Sequence, residues 1–294
     1  MGQAQAASCT AADAAKRAVV LVKYQNGMVA RRTVRIRADQ NKTLARLIGA
    51  ASCELPAASR SFSVIAGPGV AAGDVATVRA ALATVPAYYE RLGVPAFGTT
   101  VYVYSSRAAT EHGYRTILGV SQHEAKELWS KATAAGSLDG IFVNAGSDGW
   151  KQRSAAQRER VVAHELFHAA QNALADAGWD AATEVPWLAE GSAEYFGTAA
   201  MVEAGRMTFA SHDTDVAFTA VNAPLPAYQG ANGYSRPGLY AIGYLAVEKL
   251  VQLHGPLSVI AFYRDLASGV VSWRDAFSMA FGETVDAFYA DFGR

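Results

Sequence analysis

Val161-Val162-Ala163-His164-Glu165-Leu166-Phe167-His168 is the stretch on which the reading of this chain turns. Its apolar residues recur at helical spacing, so it is expected on a helix. Residues four apart share one helix face, and both imidazoles can then reach one point. Glu165 projects near that point without having to ligate it. This is the H-E-x-x-H arrangement, which supplies two zinc ligands and a general base. Histidine is scarce here, six in 294 residues, so a chance pairing at this spacing is a poor default. The other histidines, His112, His123, His212 and His254, have no partner at ligand spacing and read as surface or internally satisfied residues.

A catalytic zinc takes three protein ligands and keeps a fourth position open. Downstream stands Pro186-Trp187-Leu188-Ala189-Glu190-Gly191-Ser192-Ala193-Glu194-Tyr195-Phe196. Pro186 suits the first turn of a helix. Glu190 and Glu194 then fall one turn apart on one face. One carboxylate can bind the metal, and the other can accept the Nδ1–H of a ligand histidine and fix its tautomer. Gly191 leaves room beside the ligand.

With the histidine segment, Trp187-Leu188-Ala189-Glu190-Gly191 resembles the gluzincin zinc metallopeptidases. The likeness is to their peptidase MA-like members, distantly related to the membrane-alanyl aminopeptidases and thermolysin. The resemblance spans about residues 160–196 and runs more loosely through the later helices. It implies one zinc ion per chain held by His164, His168 and Glu190, with Glu165 as general base and Glu194 supporting a histidine. Tyr240, in Tyr240-Ala241-Ile242-Gly243-Tyr244, matches the family's oxyanion-assisting tyrosine, and Tyr234 lies near a second tyrosine of some relatives. Twenty-one residues separate His168 from Glu190, a few more than in the best-known relatives, and an Ala- and Gly-rich loop would absorb them. The Gly-x-Met-Glu-Asn strand of the aminopeptidases, whose glutamate holds a free amine, is replaced by Gly140-Ile141-Phe142-Val143-Asn144, which has no acid. That strand is expected to offer an edge for an extended peptide.

The implied fold is α+β: a small twisted mixed sheet in the N-terminal half, a mainly helical C-terminal half, and a zinc cleft between them. Strands are expected at Phe62–Ala66, Thr100–Tyr104 and Ile141–Asn144. Helices are expected from Asp74, read as an N-cap followed by Val75, Val78, Leu82 and Val85, and over 122–135. Gly67-Pro68-Gly69 lacks both full nucleotide-loop motifs. Glycines and prolines mark 209–234 as a long loop. Residues 1–59 read as an accessory segment, with an Asn26-Gly27 hairpin turn between Val19–Val22 and a return strand Val34–Arg37. Residues 60–294 read as the catalytic unit, an upper part over 60–180 and a helical lower part over 181–294.

Twenty-six Lys plus Arg balance 26 Asp plus Glu. Zero net charge argues against nucleic acid as the main partner, because phosphate binding needs a basic excess. No apolar run reaches the roughly 18 residues of a membrane span. Cys9 and Cys53 are either two unpaired residues or one disulfide, which needs an oxidising compartment. With the leader-like start Met1 to Ser8, they point to a secreted or periplasmic protein. The small residues ahead of Cys9 also suit a lipid-anchored one. The expected function is zinc-dependent hydrolysis of a peptide or protein substrate. Two alternatives use the same scaffold: a non-catalytic zinc-containing module that binds a peptide or wall polymer, and a zinc hydrolase of a non-peptide acyl substrate.

Overall fold

The computed structural model describes residues 17–23, 29–35, 61–130, 132–137, 140–217 and 223–292. The chain separates into two compact units, Met1–Ser59 and Arg60–Arg294. In the first, β1 (Arg17–Lys23) pairs antiparallel with β2 (Val29–Arg35). The return strand therefore starts five residues before the expected Val34. A seven-residue β1 needs seven partners, and the register runs from Arg17 opposite Arg35 to Lys23 opposite Val29. The Asn26-Gly27 turn, Arg37, Cys9, Cys53 and the leader-like start lie outside the described residues.

The second unit is α+β, mostly helical, with a small mixed sheet of four strands: β3 (Phe62–Ala66), β4 (Thr99–Tyr104), β5 (Ala134–Ser137) and β6 (Gly140–Asn144). Their order is β3-β4-β6-β5; β3, β4 and β6 run parallel, and β5 returns antiparallel to β6. All five β6 residues are buried, as a strand covered on both faces must be. Period two divides its side chains. Ile141 and Val143 join the main core, while Phe142 stacks on Tyr102 and packs with Trp129 and Ala125 on the other face.

The helices are α1 (Ala72–Arg91), α2 (Arg107–Leu118), α3 (Gln122–Trp129), the four-residue α4 (Asp148–Lys151), α5 (Ala155–Ala175) and α6 (Trp179–Thr183). They continue with α7 (Pro186–Glu203), α8 (Phe209–Ala217), α9 (Leu239–His254), α10 (Pro256–Leu266), α11 (Trp273–Phe281) and α12 (Val285–Asp291). The Ser154–Gln157 capping box starts α5, so two otherwise orphaned donors are satisfied where the histidine helix begins. α7 is buried almost all round, the mark of a central core helix. It lies between α5 and α9. A Cβ on Gly197 would come within 2.9 Å of the His164 backbone nitrogen, and one on Gly191 within 2.2 Å of the Gly243 oxygen. Tyr89 on α1 donates its hydroxyl to the Ala163 carbonyl at 2.8 Å, fixing α5 from its other side.

Four expectations are corrected. Asp74 is not the N-cap: α1 begins at Ala72 after Ala71, and Asp74 stands in its first turn. There its carboxylate accepts from the Trp150 indole and from Arg158, tying α1 to the start of α5. The helix expected over 122–135 ends at Trp129. The chain then enters β5, whose residues are paired by β6 through Ala134–Val143, Ala135–Phe142, Gly136–Ile141 and Ser137–Gly140. Consequently Gly140–Asn144 is not an edge: it lies between β4 and β5, and β5 ends the sheet. The segment 209–234 is not one loop, since it opens with α8 and carries 3-10 turns at Leu225–Tyr228 and Ala231–Ser235. Its glycines and prolines all follow α8.

Among the described residues no single helix is long and apolar enough to cross a membrane. The apolar pair α9 and α10 bends by 105°; most of its apolar side chains pack in the core, while Leu253 and Leu257 are exposed.

Candidate metal centre

His164 and His168 project from one face of α5, their ring centroids 4.8 Å apart. Glu190, one turn into α7, enters from the opposite side. His164 Nε2 lies 3.2 Å and His168 Nε2 3.3 Å from Glu190 Oε2, and the two nitrogens are 3.1 Å from each other. Three ligand atoms thus form a nearly equilateral triangle.

The remaining ring nitrogens are engaged elsewhere. His164 Nδ1 is 2.8 Å from Glu194 Oε2, and His168 Nδ1 is 2.7 Å from Gln171 Oε1. Both partners are acceptors, so each Nδ1 carries the proton and each Nε2 presents a lone pair when the imidazole is neutral. Two nitrogen lone pairs and a carboxylate oxygen then converge, which is unfavourable without a cation between them. A tetrahedral zinc with bonds of about 2.0–2.1 Å sets its ligand atoms roughly 3.3–3.4 Å apart. The triangle fits. His164, His168 and Glu190 can hold a metal ion.

The carboxylates are tuned to stay ionised. Burial raises the pKa of Glu190, but charge interaction with His168 and hydrogen bonds from both histidines outweigh it and pull it down to about 2. Burial acts the same way on Glu194, where Arg160, His164 and His212 pull its pKa far below the carboxylate range. Arg160 forms an ion pair with Glu194 Oε1, and His212 Nε2 stands 3.5 Å from the same oxygen. Burial also lowers the pKa of His164, yet hydrogen bonds to Glu190 and Glu194 raise it to about 10 in the metal-free protein. His168 is raised as well, burial being outweighed by Glu190.

Glu165 points toward β5, where the Gly136 backbone N–H donates to its carboxylate. Burial raises its pKa, Glu190 adds to the rise, and the two histidines oppose it. A buried carboxylate with raised proton affinity beside a metal position suits proton abstraction from water. A Cβ on Gly136 would sit 3.1 Å from Glu165 Oε2, so this strand residue gives the carboxylate its space.

His164, Glu165, His168 and Glu190 line one cavity of about 360 Å³, bounded by β5, Ile141, Asn172, Trp179, Tyr234 and Tyr240. The Tyr240 ring lies 5.7 Å from that of His164. The charge on Glu190, with burial second, raises its pKa and keeps its hydroxyl a donor; burial, then Glu190, does the same for Tyr234.

The structure therefore brings His164, Glu165, His168, Glu190, Tyr234 and Tyr240 around one cleft, with Glu194 behind His164 at its Nδ1. Gly191 serves another purpose than expected: the room it leaves is filled by the backbone of Gly243 on α9. Four contributors escape the sequence reading. Arg160 lies four residues before His164 and Gln171 three after His168, so helical spacing alone offered a signal for both. His212 sits in the stretch read as loop and Gly136 in the stretch read as helix, and neither carries a sequence signal. His212 is buried beside Glu194, while His254 lies by Glu283 and His123 by Glu127, outside the cleft.

No protein-family model, curated protein or solved structure matches the chain.

Proposed function

We propose that the chain is a zinc-dependent metallopeptidase of the gluzincin type. The observation that carries the reading is the Nε2, Nε2 and Oε2 triangle with 3.1–3.3 Å sides, placed beside a buried glutamate that ligates nothing. A purely structural zinc site uses four protein ligands and has no need of a base; here three ligands and a base share a cavity open enough for substrate.

A zinc ion held by His164, His168 and Glu190 would supply the Lewis acid that activates water and polarises the scissile carbonyl. Glu165 accepts the proton of the attacking water and delivers it to the leaving amine. The Tyr240 hydroxyl donates to the carbonyl oxygen as negative charge gathers there. Water attacks directly, so no serine or cysteine nucleophile is required. Among the described residues β5 pairs with one strand, β6, and ends the sheet; all four of its residues line the cavity, and its Gly136 N–H already donates to Glu165. An extended peptide laid along β5 gains backbone hydrogen bonds whatever its side chains, which favours a peptide over another acyl substrate.

The test is a peptide-library digest with and without zinc, run on the wild-type chain and on Glu165→Gln. The variant should bind zinc near one equivalent and lose turnover by about 10²–10⁴-fold. Zinc-dependent cleavage by the wild type with full activity in Glu165→Gln would remove Glu165 from the mechanism. No cleavage by zinc-loaded wild type would sink the peptidase reading.

A further inference from the structure

Gln171 is buried, with none of its surface accessible, and its amide is bonded on both sides. Its Oε1 lies 2.7 Å from His168 Nδ1. Its Nε2 donates toward the Ala189 carbonyl at 2.8 Å, Ser192 Oγ at 2.8 Å and the Tyr263 hydroxyl at 3.0 Å. Two of those acceptors are hydroxyls, which can turn to donate or accept. The third cannot: a backbone carbonyl only accepts. Turning the amide over would bring Gln171 Oε1 within 2.8 Å of Ala189 O, two acceptor oxygens set against each other in a buried site in place of a hydrogen bond.

We infer that the Ala189 carbonyl, acting through Gln171 as a positioning residue, fixes the tautomer in which His168 can bind metal through Nε2. The carbonyl holds the amide NH2 toward α7, so the amide oxygen must face His168. That oxygen accepts, so His168 Nδ1 must carry the proton, and the Nε2 lone pair is left toward Glu190. Ala189 directly precedes Glu190. One turn of α7 thereby supplies the third ligand and sets the protonation site of the second. The two histidines are held differently: His164 donates to an ionised carboxylate, His168 to a neutral amide whose direction is dictated by the main chain. Ser192 and Tyr263 close the network, with Ser192 Oγ 2.6 Å from the Leu188 carbonyl and 2.8 Å from the Tyr263 hydroxyl.

The inference rests on the metal centre and not on peptide hydrolysis, and its readouts are zinc affinity and histidine tautomer. In the full wild-type chain, long-range ¹⁵N–¹H spectra should show His168 protonated at Nδ1, with Nε2 the nitrogen perturbed when zinc is added. Gln171→Met keeps volume and removes the acceptor; its zinc affinity, measured by competition with a chromophoric chelator, should fall about 10- to 100-fold. Gln171→Glu restores an acceptor toward Nδ1–H and should recover most of that loss. A merely structural role ranks the two the other way, because a buried carboxylate is harder to house than a thioether. Ser192→Ala should stay near wild-type affinity, since the Ala189 oxygen still orients the amide. Wild-type affinity in Gln171→Met, a loss in Ser192→Ala as large as in Gln171→Met, or zinc bound to His168 through Nδ1 would each overturn the inference alone. A wild-type chain that binds no zinc overturns the metal centre and the inference with it. Should Gln171→Met not fold, the wild-type spectra still decide.

Discussion

Gly191 on α7 and Gly243 on α9 meet backbone to backbone: a Cβ on Gly191 would stand 2.2 Å from the Gly243 oxygen, and one on Gly243 2.5 Å from the Trp187 oxygen. This contact sets the distance between two helices that each carry a group of the cleft, Glu190 beside Gly191 and Tyr240 one turn before Gly243. Both obstructing atoms are main chain and cannot rotate away. Gly191→Ala should therefore push α9 off α7 and lower stability by about 1–3 kcal/mol, the usual cost of overpacking. It should lower activity more than stability alone explains, because Tyr240 moves with α9. Urea unfolding and zinc-loaded peptidase assays check this; unchanged stability would show that the helices part without cost.

Glu194, its side chain 12 % exposed, faces three cations or potential cations, Arg160, His164 and His212. Glu194→Ala leaves the Arg160 guanidinium without its partner in a site only 13 % exposed. Breaking a buried pair from one side costs about 3–5 kcal/mol. The expected result is a large loss of stability in the metal-free protein, with weaker zinc binding because His164 Nδ1 loses its acceptor. Denaturant melts with and without zinc measure both, and a variant within 1 kcal/mol of wild type would show that the ion pair contributes no net stability.

Much of this centre is legible in the sequence because its side chains sit on helices, where a 3.6-residue period converts spacing directly into direction. His164, Glu165 and His168, then Glu190 and Glu194, need only that rule. Strands β4 and β6 announce themselves through Val, Ile, Tyr and Phe. β5 does not: Ala134-Ala135-Gly136-Ser137 has no strand preference, and its conformation is set by pairing with β6, a tertiary effect. The close approach of Gly191 to Gly243 is equally silent, because a glycine in a helix pattern does not say which backbone will fill the space it leaves. α8 was obscured by the glycines and prolines that follow it.

Tyr240 stands half exposed at the cavity and ligates nothing. Removing its hydroxyl should leave fold and metal affinity intact. Tyr240→Phe is expected to bind zinc as the wild type does and to lose about 10²–10³ in kcat, the loss typical for one oxyanion donor, with KM little changed. Steady-state kinetics on a cleaved library peptide distinguish this from a packing role. A drop in zinc affinity equal to the drop in kcat would assign the ring to the site's architecture instead.

Protons and metal compete for the same nitrogens, and this fixes the sign of the pH dependence. In the metal-free protein His164 is raised from 6.5 to about 10, hydrogen bonds to Glu190 and Glu194 overcoming burial. Between those values the folded chain holds a proton that the unfolded chain has released. That stabilisation is complete below about 6.5 and is lost as pH rises toward 10. Glu190, lowered from 4.5 to about 2, contributes in the opposite direction, fully above about 4.5 and lost as pH falls toward 2. The metal-free protein should therefore be most stable near pH 4.5–6.5 and soften toward alkaline pH. Zinc replaces the proton, so its uptake releases protons and its affinity strengthens as pH rises. The rise in Tm on adding saturating zinc should accordingly be larger at pH 8 than at pH 6, and chelator should abolish it at both. Scanning calorimetry on chelator-treated and zinc-loaded protein provides the comparison; an increment as large at pH 6 as at pH 8 would mean that the ion and the proton do not share His164.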